Sequence, residues 1–389
     1  TTNGGLIDQR VENLVRLKYI LDVRDFPDSP YRDCFVKDFG VIESDPEVDI
    51  VVETIGGATV ALDFTTRALK AGKSVVSSNK ELVATHGYEL LQLAREHGVS
   101  YLFEASVGGG IPVLHPLTQC MAANRIDEVY GILNGTTNYI LTRMVRAGTT
   151  FADALKEAQE KGYAEADPTA DVEGVDAGRK ICILADLAFG CQVDPADVPM
   201  EGISRLSLRD VKIAQRAGYR VKLLGRAVRL PGGRTAYVAP HLIPEEQPLA
   251  SVDDVFNAVL VKGDMLGDVV FYGKGAGKLP TASAVVADVV DALKNGSKVH
   301  DSLFWQPAEP GEGMLTDPAP AAYYVRAAGV APAVVEAIYG RGRVVDEHFD
   351  GCSYLVEQAD AKAMAEAARK VETVGGSVKL VLKKLPEEA

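Results

Sequence analysis

The most constraining feature of the sequence is the alternation of short apolar runs with helical stretches over its first 105 residues. Strands are predicted at residues 17–23, 49–54, 74–77 and 100–104. Helices are predicted at residues 58–71 and 80–97. Short strands that alternate with helices are typical of βαβ units, which build a parallel, doubly wound sheet. The fold class expected for this part of the chain is therefore α/β.

The predicted strands end in segments suited to ligand binding. In a doubly wound sheet, ligands bind beyond the carboxyl ends of the strands, and residues 54–57, 78–80 and 104–106 are polar or glycine-rich. We therefore expect a Rossmann-like nucleotide-binding domain over residues 1–130, completed by residues 281–306. The first strand and GxGxxG loop of such a domain are not found. Either the sequence given begins after them or the protein lacks them, and the intact crevice favours the first alternative.

The rest of the chain divides by pattern into two further parts. Long strands at residues 220–229, 235–243 and 253–262 predict an α+β domain over residues 131–280. The helix predicted at residues 281–295 belongs to the segment that completes the nucleotide-binding domain. Pro, Gly and Glu dominate residues 307–320, which favours a linker. Residues 321–389 follow the order βαββαβ, which is typical of a small ferredoxin-like module.

Composition narrows the range of partners. The chain has 41 basic and 54 acidic side chains and a formal charge of −13, which disfavours binding to nucleic acid or to an anionic membrane surface. Its five cysteines lack CxxC spacing, which disfavours a disulfide framework and a thiolate metal site. There is no signal-peptide pattern and no apolar run near the ~18 residues of a membrane span. We therefore expect a cytoplasmic protein.

The strongest candidate for chemistry is the segment from Glu165 to Lys180. Pro168 and Gly174 predict a loop that leads into a helix beginning near residue 173. Asp176 and Lys180 are four residues apart and would share one face of that helix. The spacing fits an ordinary ion pair at a solvated helix start, and it also fits a lysine that donates protons or anchors a zwitterion. Spacing alone leaves both alternatives open.

The full pattern of this segment resembles the signature of homoserine dehydrogenases. The matching pattern is A-x3-G, an aromatic and a small residue, then D-P-x2-D, an aliphatic residue and x-G-x-D-x3-K. The resemblance extends, in the family's order, to DIVVETIGG at 49–57, SNKE at 78–81, EASVGGGIP at 104–112, NGTTN at 134–138 and FYGKGAGKLPTA at 271–282. It implies the NAD(P)-dependent interconversion of L-homoserine and L-aspartate 4-semialdehyde.

The resemblance implies roles for particular side chains. Lys180 is expected to transfer the proton, Lys80 to bridge cofactor and substrate, and Asp176 to support them. Three carboxylates are expected to hold the substrate amino group, the reacting oxygen of the substrate or Lys180. They belong to Glu165, Asp171 and Asp176. The substrate carboxylate or the cofactor is expected to contact Gly135, Thr136 and Thr137. A surface lysine at position 80 and a plain turn at 134–138 are the alternatives.

The same resemblance implies which residues contact the cofactor and which residues bind a cation. The expected cofactor contacts are Arg24, Thr54, Gly56, Ser78, Asn79, Lys80, Gly275 and Gly277. Asp22 and Asp25 suit the ribose of NAD, whereas Arg24 suits the 2′-phosphate of NADP; a plain surface cluster is the alternative, and the choice of cofactor stays open. A sodium ion is expected at Glu104, Val107, Gly109 and Ile111, mostly through backbone carbonyls.

The C-terminal module resembles the ACT regulatory domain, which implies feedback by an amino acid such as threonine. The acidic-Pro-Gly turn usual before its first helix is replaced by residues 327–331, AAGVA, so a dimerising or degenerate module is the alternative. A homodimer or homotetramer is expected. Two other functions compete: an aspartate dehydrogenase-like enzyme of the same fold, and a non-enzymatic amino-acid sensor that has lost its cofactor loop.

Overall fold

The computed structural model describes residues 3–11, 15–295, 303–307, 314–317 and 319–385. The extreme N-terminus, half of the predicted linker, part of the segment at 281–306 and the last four residues lie outside the described residues. Within the described ranges, no helix combines the length and the apolar character that crossing a membrane requires.

The first part of the chain contains parallel strands and flanking helices. The strands are β1 (Ile20–Leu21), β2 (Phe35–Val36), β3 (Ile50–Glu53), β4 (Ser74–Ser77) and β5 (Tyr101–Leu102). The helices are α1 (Gly4–Val11), α2 (Phe39–Ser44), α3 (Thr59–Lys70) and α4 (Lys80–Glu96). Strands β3, β4 and β5 form one parallel sheet, which agrees with the predicted βαβ units.

The prediction of a single doubly wound sheet through residues 17–23 was wrong in one respect. Strand β1 is only two residues long and pairs with β2 in a separate parallel sheet. Leu17 and Val23, at the two ends of the predicted run, are 55% and 91% exposed. The ends of this apolar run therefore lack the burial that would hold them in a longer strand.

The second part is dominated by a large mixed sheet. Its strands are β6 (Ile126–Ile132), β7 (Tyr219–Leu230), β8 (Gly233–Pro244), β9 (Phe256–Gly263) and β10 (Gly267–Lys274). Its helices are α5 (Gly135–Ala147), α6 (Phe151–Glu160), α7 (Thr169–Val172), α8 (Val175–Phe189) and α9 (Leu208–Arg216), followed by α10 (Lys278–Asn295). Strands β6 and β10 were not predicted.

Helix α8 forms the centre of this part because its apolar face packs against β6, β7 and β8. Residues 181–185 are fully buried, as the apolar sequence there predicts. The helix begins at Val175, two residues later than predicted, because Gly174 adopts a positive φ of 85° that ends the short helix α7. This start fixes the direction in which Asp176 and Lys180 project.

The C-terminal part has the predicted βαββαβ order. It consists of β11 (Ala321–Ala328), α11 (Pro332–Tyr339), β12 (Gly342–His348), β13 (Gly351–Ala359), α12 (Ala361–Thr373) and β14 (Ser377–Lys384). Its strands extend the large sheet in the order β10-β9-β6-β7-β8-β14-β11-β13-β12. The joint is a short parallel pairing of β14 with β8, where Lys383 lies opposite His241.

Buried charges reinforce this joint. Asp317 lies 2.8 Å from Arg226 of β7 and 2.7 Å from Lys383 of β14, measured from its Oδ2 to Nη1 and Nζ. Arg226 also pairs with Glu128 of β6 through Nε, at 2.5 Å. Because these groups are largely shielded from water, the module is docked on strands β6 to β8 of the large sheet through charged contacts whose loss would be costly.

Candidate active site

The start of helix α8 holds a buried ion pair. Asp176 and Lys180 are each only 7% exposed. The Nζ of Lys180 lies 2.7 Å from Oδ2 of Asp176 and donates a second hydrogen bond, also 2.7 Å long, to the backbone carbonyl of Leu133. The pair is therefore not the solvated surface pair that spacing alone allowed.

A second lysine reaches the same carboxylate from the nucleotide-binding side. Lys80 is the first residue of α4, and its Nζ lies 3.0 Å from Oδ1 of Asp176. Its side chain is 37% exposed, so its ammonium is open to a ligand at the mouth of the site. Burial opposes the charged form of Asp176, but Lys180 and Lys80 outweigh it and hold the pKa of this carboxyl well below its usual range.

One residue of this network was missed as a functional residue by sequence reasoning. Asn134 lies two residues after the end of β6 and caps helix α5, with its Oδ1 accepting from the backbone N–H of Thr137 at 2.8 Å. Its Nδ2 donates to Oδ1 of Asp171 at 2.7 Å and to Oδ2 of Asp176 at 2.9 Å. The signal in the sequence was the NGTTN motif at 134–138, which was interpreted through Gly135, Thr136 and Thr137 or as a plain turn and which says nothing of two carboxylates.

The predicted carboxylates fall into different surroundings. Asp171 is half-buried beside Asp176; burial raises its pKa, the hydrogen bond from Asn134 lowers it and the charge of Asp176 raises it, with a net rise. Glu165 lies on the exposed loop before α7, where its backbone carbonyl accepts from Gln159. The structure thus brings Asp171 and Asp176 together and leaves Glu165 at the rim.

The hydroxyl groups of the NGTTN motif serve the protein scaffold. Thr136 donates to the carbonyl of Tyr163 at 2.6 Å, and Thr137 donates to the carbonyl of Asn134 at 3.1 Å. Gly135 is sterically required, because a Cβ there would lie 2.8 Å from the carbonyl oxygen of Val255. What this motif can offer a ligand is the backbone N–H groups of Gly135 and Thr136 at the start of α5, because the N–H of Thr137 is donated to Oδ1 of Asn134.

On the nucleotide-binding side, Asn79 organises the ends of β3 and β4. It caps α4, and its Nδ2 donates to the carbonyls of Ile55 at 2.9 Å and Gly57 at 2.7 Å. A Cβ on Gly56 or Gly57 would meet nothing within 4 Å. The loop at residues 54–57 is thus held in place while its surface stays open, and Lys80 directly follows Asn79 in the chain. This arrangement fits a dinucleotide that lies across the strand ends.

Comparison with known proteins places this arrangement in a family. Residues 112–290 match the family model of homoserine dehydrogenase, and residues 11–104 match the model of its NAD-binding domain. The homoserine dehydrogenase of Neisseria gonorrhoeae is 47% identical over 298 residues, which are 75% of this chain and 68% of that protein. The chain belongs to the homoserine dehydrogenase family.

Further relatives agree with this assignment. The homoserine dehydrogenase of Corynebacterium glutamicum is 50% identical over 267 residues, 67% of this chain and 59% of the relative. The solved homoserine dehydrogenase of Thiobacillus denitrificans has a TM-score of 0.87 at 37% identity and covers 99% of this chain and 93% of its own. A hyperthermophilic archaeal homoserine dehydrogenase in complex with NADPH has a TM-score of 0.54 at 31% identity, over 62% and 70% of the two chains. By family, the chain is an oxidoreductase with an NAD-binding domain.

Arg24, which was expected to suit the 2′-phosphate of NADP, is paired with the neighbouring Asp22. Its guanidinium makes two hydrogen bonds to the carboxylate of Asp22, at 2.9 and 3.1 Å. The hydrogen bonds from Arg24 lower the pKa of Asp22 to about 2, so this carboxylate is ionised at neutral pH. Arg24 and Asp22 thus form one ion pair at the end of β1, in which Arg24 is exposed and Asp22 is partly buried.

The side chain of Glu104, which was expected near a sodium ion, forms hydrogen bonds within the protein instead. Its carboxylate accepts hydrogen bonds from the backbone N–H groups of residues 113, 114 and 115, at 2.6, 2.9 and 2.8 Å. It also lies 3.0 Å from Nδ1 of His115. In the described ranges, no group of three or more His, Cys, Asp or Glu side chains is arranged to hold a metal. Any cation at this turn would be bound through backbone carbonyls.

The glycine-rich segment before α10 packs tightly against this turn. A Cβ on Gly109 would lie 2.6 Å from the carbonyl oxygen of Gly275, and one on Gly275 would lie 2.0 Å from Nδ2 of Asn257. Gly277 has a φ of 123°, which disfavours any other residue. These glycines allow the turn, β9 and the start of α10 to meet beside the strand ends.

Proposed function

We propose that this chain interconverts L-homoserine and L-aspartate 4-semialdehyde with NAD(P)(H). The observation that carries the proposal is the carboxylate of Asp176, which joins a lysine of the catalytic helix to a lysine of the nucleotide-binding side. NAD(P) supplies or accepts the hydride at the substrate's C4. The chain must then hold the substrate there and move one proton at its oxygen.

Lys180 is proposed to move that proton. An ammonium group has three N–H donors, and Leu133 and Asp176 accept from two of them. The third can be directed at the substrate oxygen. In the reducing direction it protonates the oxygen of the aldehyde, while in the oxidising direction the neutral amine takes the hydroxyl proton. Asp176 stays ionised in both directions and holds the amine in place.

The remaining residues are proposed to bind the substrate and the cofactor. Lys80 lies where it can contact both molecules. The N–H groups at the start of the 13-residue helix α5, at Gly135 and Thr136, suit the substrate carboxylate. The N–H of Thr137, also expected there, is already donated to Oδ1 of Asn134. Asp171 and Glu165 suit the substrate ammonium.

The proposed cofactor surface comprises Arg24, Thr54, Gly56, Ser78, Asn79, Lys80, Gly275 and Gly277. The NADPH named in the archaeal relative supports NADP as a cofactor to test beside NAD. A sodium ion would be held through the carbonyls of residues 104, 107, 109 and 111.

We further propose that the C-terminal module is ACT-like and binds an amino acid, with threonine as the first to test. The chain would form a homodimer through its large sheet, whose edge strand β10 exposes Val270 and Tyr272 by 40% and 57%.

The test is a spectrophotometric assay of homoserine oxidation with NAD+ and with NADP+, with and without threonine. Aspartate is the competing substrate. We expect reduction of the cofactor with homoserine only, and a turnover at least ~100-fold lower for K180A, the loss typical of a missing acid–base group. Activity with aspartate alone would contradict the proposal. Near-normal turnover of a folded K180A protein would remove Lys180 from the mechanism.

A further inference from the structure

Asn134 contacts both carboxylates of the site, and its hydrogen-bond partners determine the orientation of its side-chain amide. Its Oδ1 faces the backbone N–H of Thr137, and its Nδ2 faces Asp171 and Asp176. The reversed amide would direct two N–H groups at an N–H and an oxygen at two carboxylates. Both amide hydrogens are therefore directed at carboxylate oxygens, and the side chain is only 5% exposed.

No other small side chain can replace this set of hydrogen bonds. The site needs one acceptor for the helix cap and two donors for two carboxylates, without adding charge. Among side chains of this size, only the Asn amide offers two donors and an acceptor. Asp and Ser can both cap α5, but an ionised Asp has no donor and Ser has one hydrogen, which cannot serve two carboxylates.

The two carboxylates have unequal partners. Asp176 is contacted by Lys180, Lys80 and Asn134. Asp171 accepts its main side-chain hydrogen bond from Asn134, with a smaller contribution from Thr136. Loss of the amide would therefore affect Asp171 most. Without it, the two carboxylates would face each other with less compensation, and one of them would take up a proton more readily.

We infer that Asn134 is a positioning residue that holds Asp171 and Asp176 apart in separate roles, the first for the substrate and the second for the lysines. Asn134 needs no contact with the substrate for this. The inference rests on the proposed function, because the reaction defines what the two carboxylates do.

Two variants that keep the helix cap test the inference in the full chain. N134S removes the amide donors without adding charge. We expect kcat/KM for homoserine to fall roughly 10- to 100-fold, the range for one missing hydrogen bond to a charged group. The KM for the cofactor should stay within about twofold, because the amide of Asn134 faces the substrate side of the site. The control T150A removes the side-chain cap of α6 and should leave kcat/KM unchanged.

N134D gives a readout that a purely structural role would not produce. Its new carboxylate would lie within about 3 Å of two others, where carboxylates share protons. Once protonated it can donate one hydrogen bond, so the activity of N134D relative to N134S should rise as the pH falls. The same pH profile for both variants would overturn the inference.

A measurement independent of activity completes the test. Carboxyl-carbon NMR on protein with labelled aspartate, assigned with D171N, should show a higher pKa of Asp171 in N134S than in the wild type. An unchanged pKa would overturn the inference even if activity falls. If the wild type does not oxidise homoserine, the proposed function is wrong, whatever the variants of Asn134 show.

Discussion

Replacing Asp176 by Asn should separate the structural role of this carboxylate from its chemical role. Asn keeps the size and a hydrogen-bonding oxygen but removes the charge that faces Lys180 at 2.7 Å and Lys80 at 3.0 Å. Removing one partner of a buried ion pair typically costs about 3–5 kcal/mol of folding free energy. Because Lys80 is 37% exposed and can turn toward water, we expect the lower end, about 3 kcal/mol.

This loss should be visible as a fall in melting temperature. At roughly 2–4 °C per kcal/mol for a domain of about 150–250 residues, D176N should melt roughly 6–12 °C lower. Turnover should fall at least ~100-fold, because the amine of Lys180 is no longer held for proton transfer.

A double variant supplies the control. D176N/K180M removes both charges, so its melting temperature should lie above that of D176N, while its activity stays lost. A D176N protein that melts like the wild type would show that the pair contributes little to folding. A D176N protein with wild-type turnover would refute the role given to Asp176 in placing Lys180.

Three further predictions concern other parts of the chain. In D317A, the buried Arg226 and the partly buried Lys383 lose their shared partner; we expect a loss of about 3–5 kcal/mol and faster limited proteolysis of the C-terminal module, and unchanged cleavage would contradict this. Burial opposes protonation of His115, but nearby carboxylates including Glu104 raise its pKa to about 10. Its charge therefore stabilises the fold fully below pH 6.5, and this stabilisation is lost as the pH rises through about 10. The melting-temperature gap between the wild type and H115Q should be wide at pH 6 and close above pH 10; a constant gap would count against this. Gly109 has a φ of 53°, and a Cβ there would meet the carbonyl of Gly275, so G109A should cost roughly 1–3 kcal/mol, a loss that denaturation in urea would measure.

The element pattern of this protein could largely be predicted from local sequence. The short strands at 50–53 and 74–77, the buried helix at 175–189 and the βαββαβ order of the C-terminal part follow from periodicity and turn residues. Strands β6 and β10 were missed because their stability depends on pairing with β9, and a single sequence does not reveal which segments pair with that predicted strand.

The residue types of the site were also in the sequence, since the spacing of Asp176 and Lys180 put them on one helical face. Only the tertiary structure decided that this face is buried, that Lys80 comes from the distant helix α4 to meet the same carboxylate, and that Asn134 joins two carboxylates. The physical reason is that periodicity reports which face of an element is apolar. Burial, pKa shifts and hydrogen bonds between distant residues depend on which faces meet, and that is a property of the packed chain.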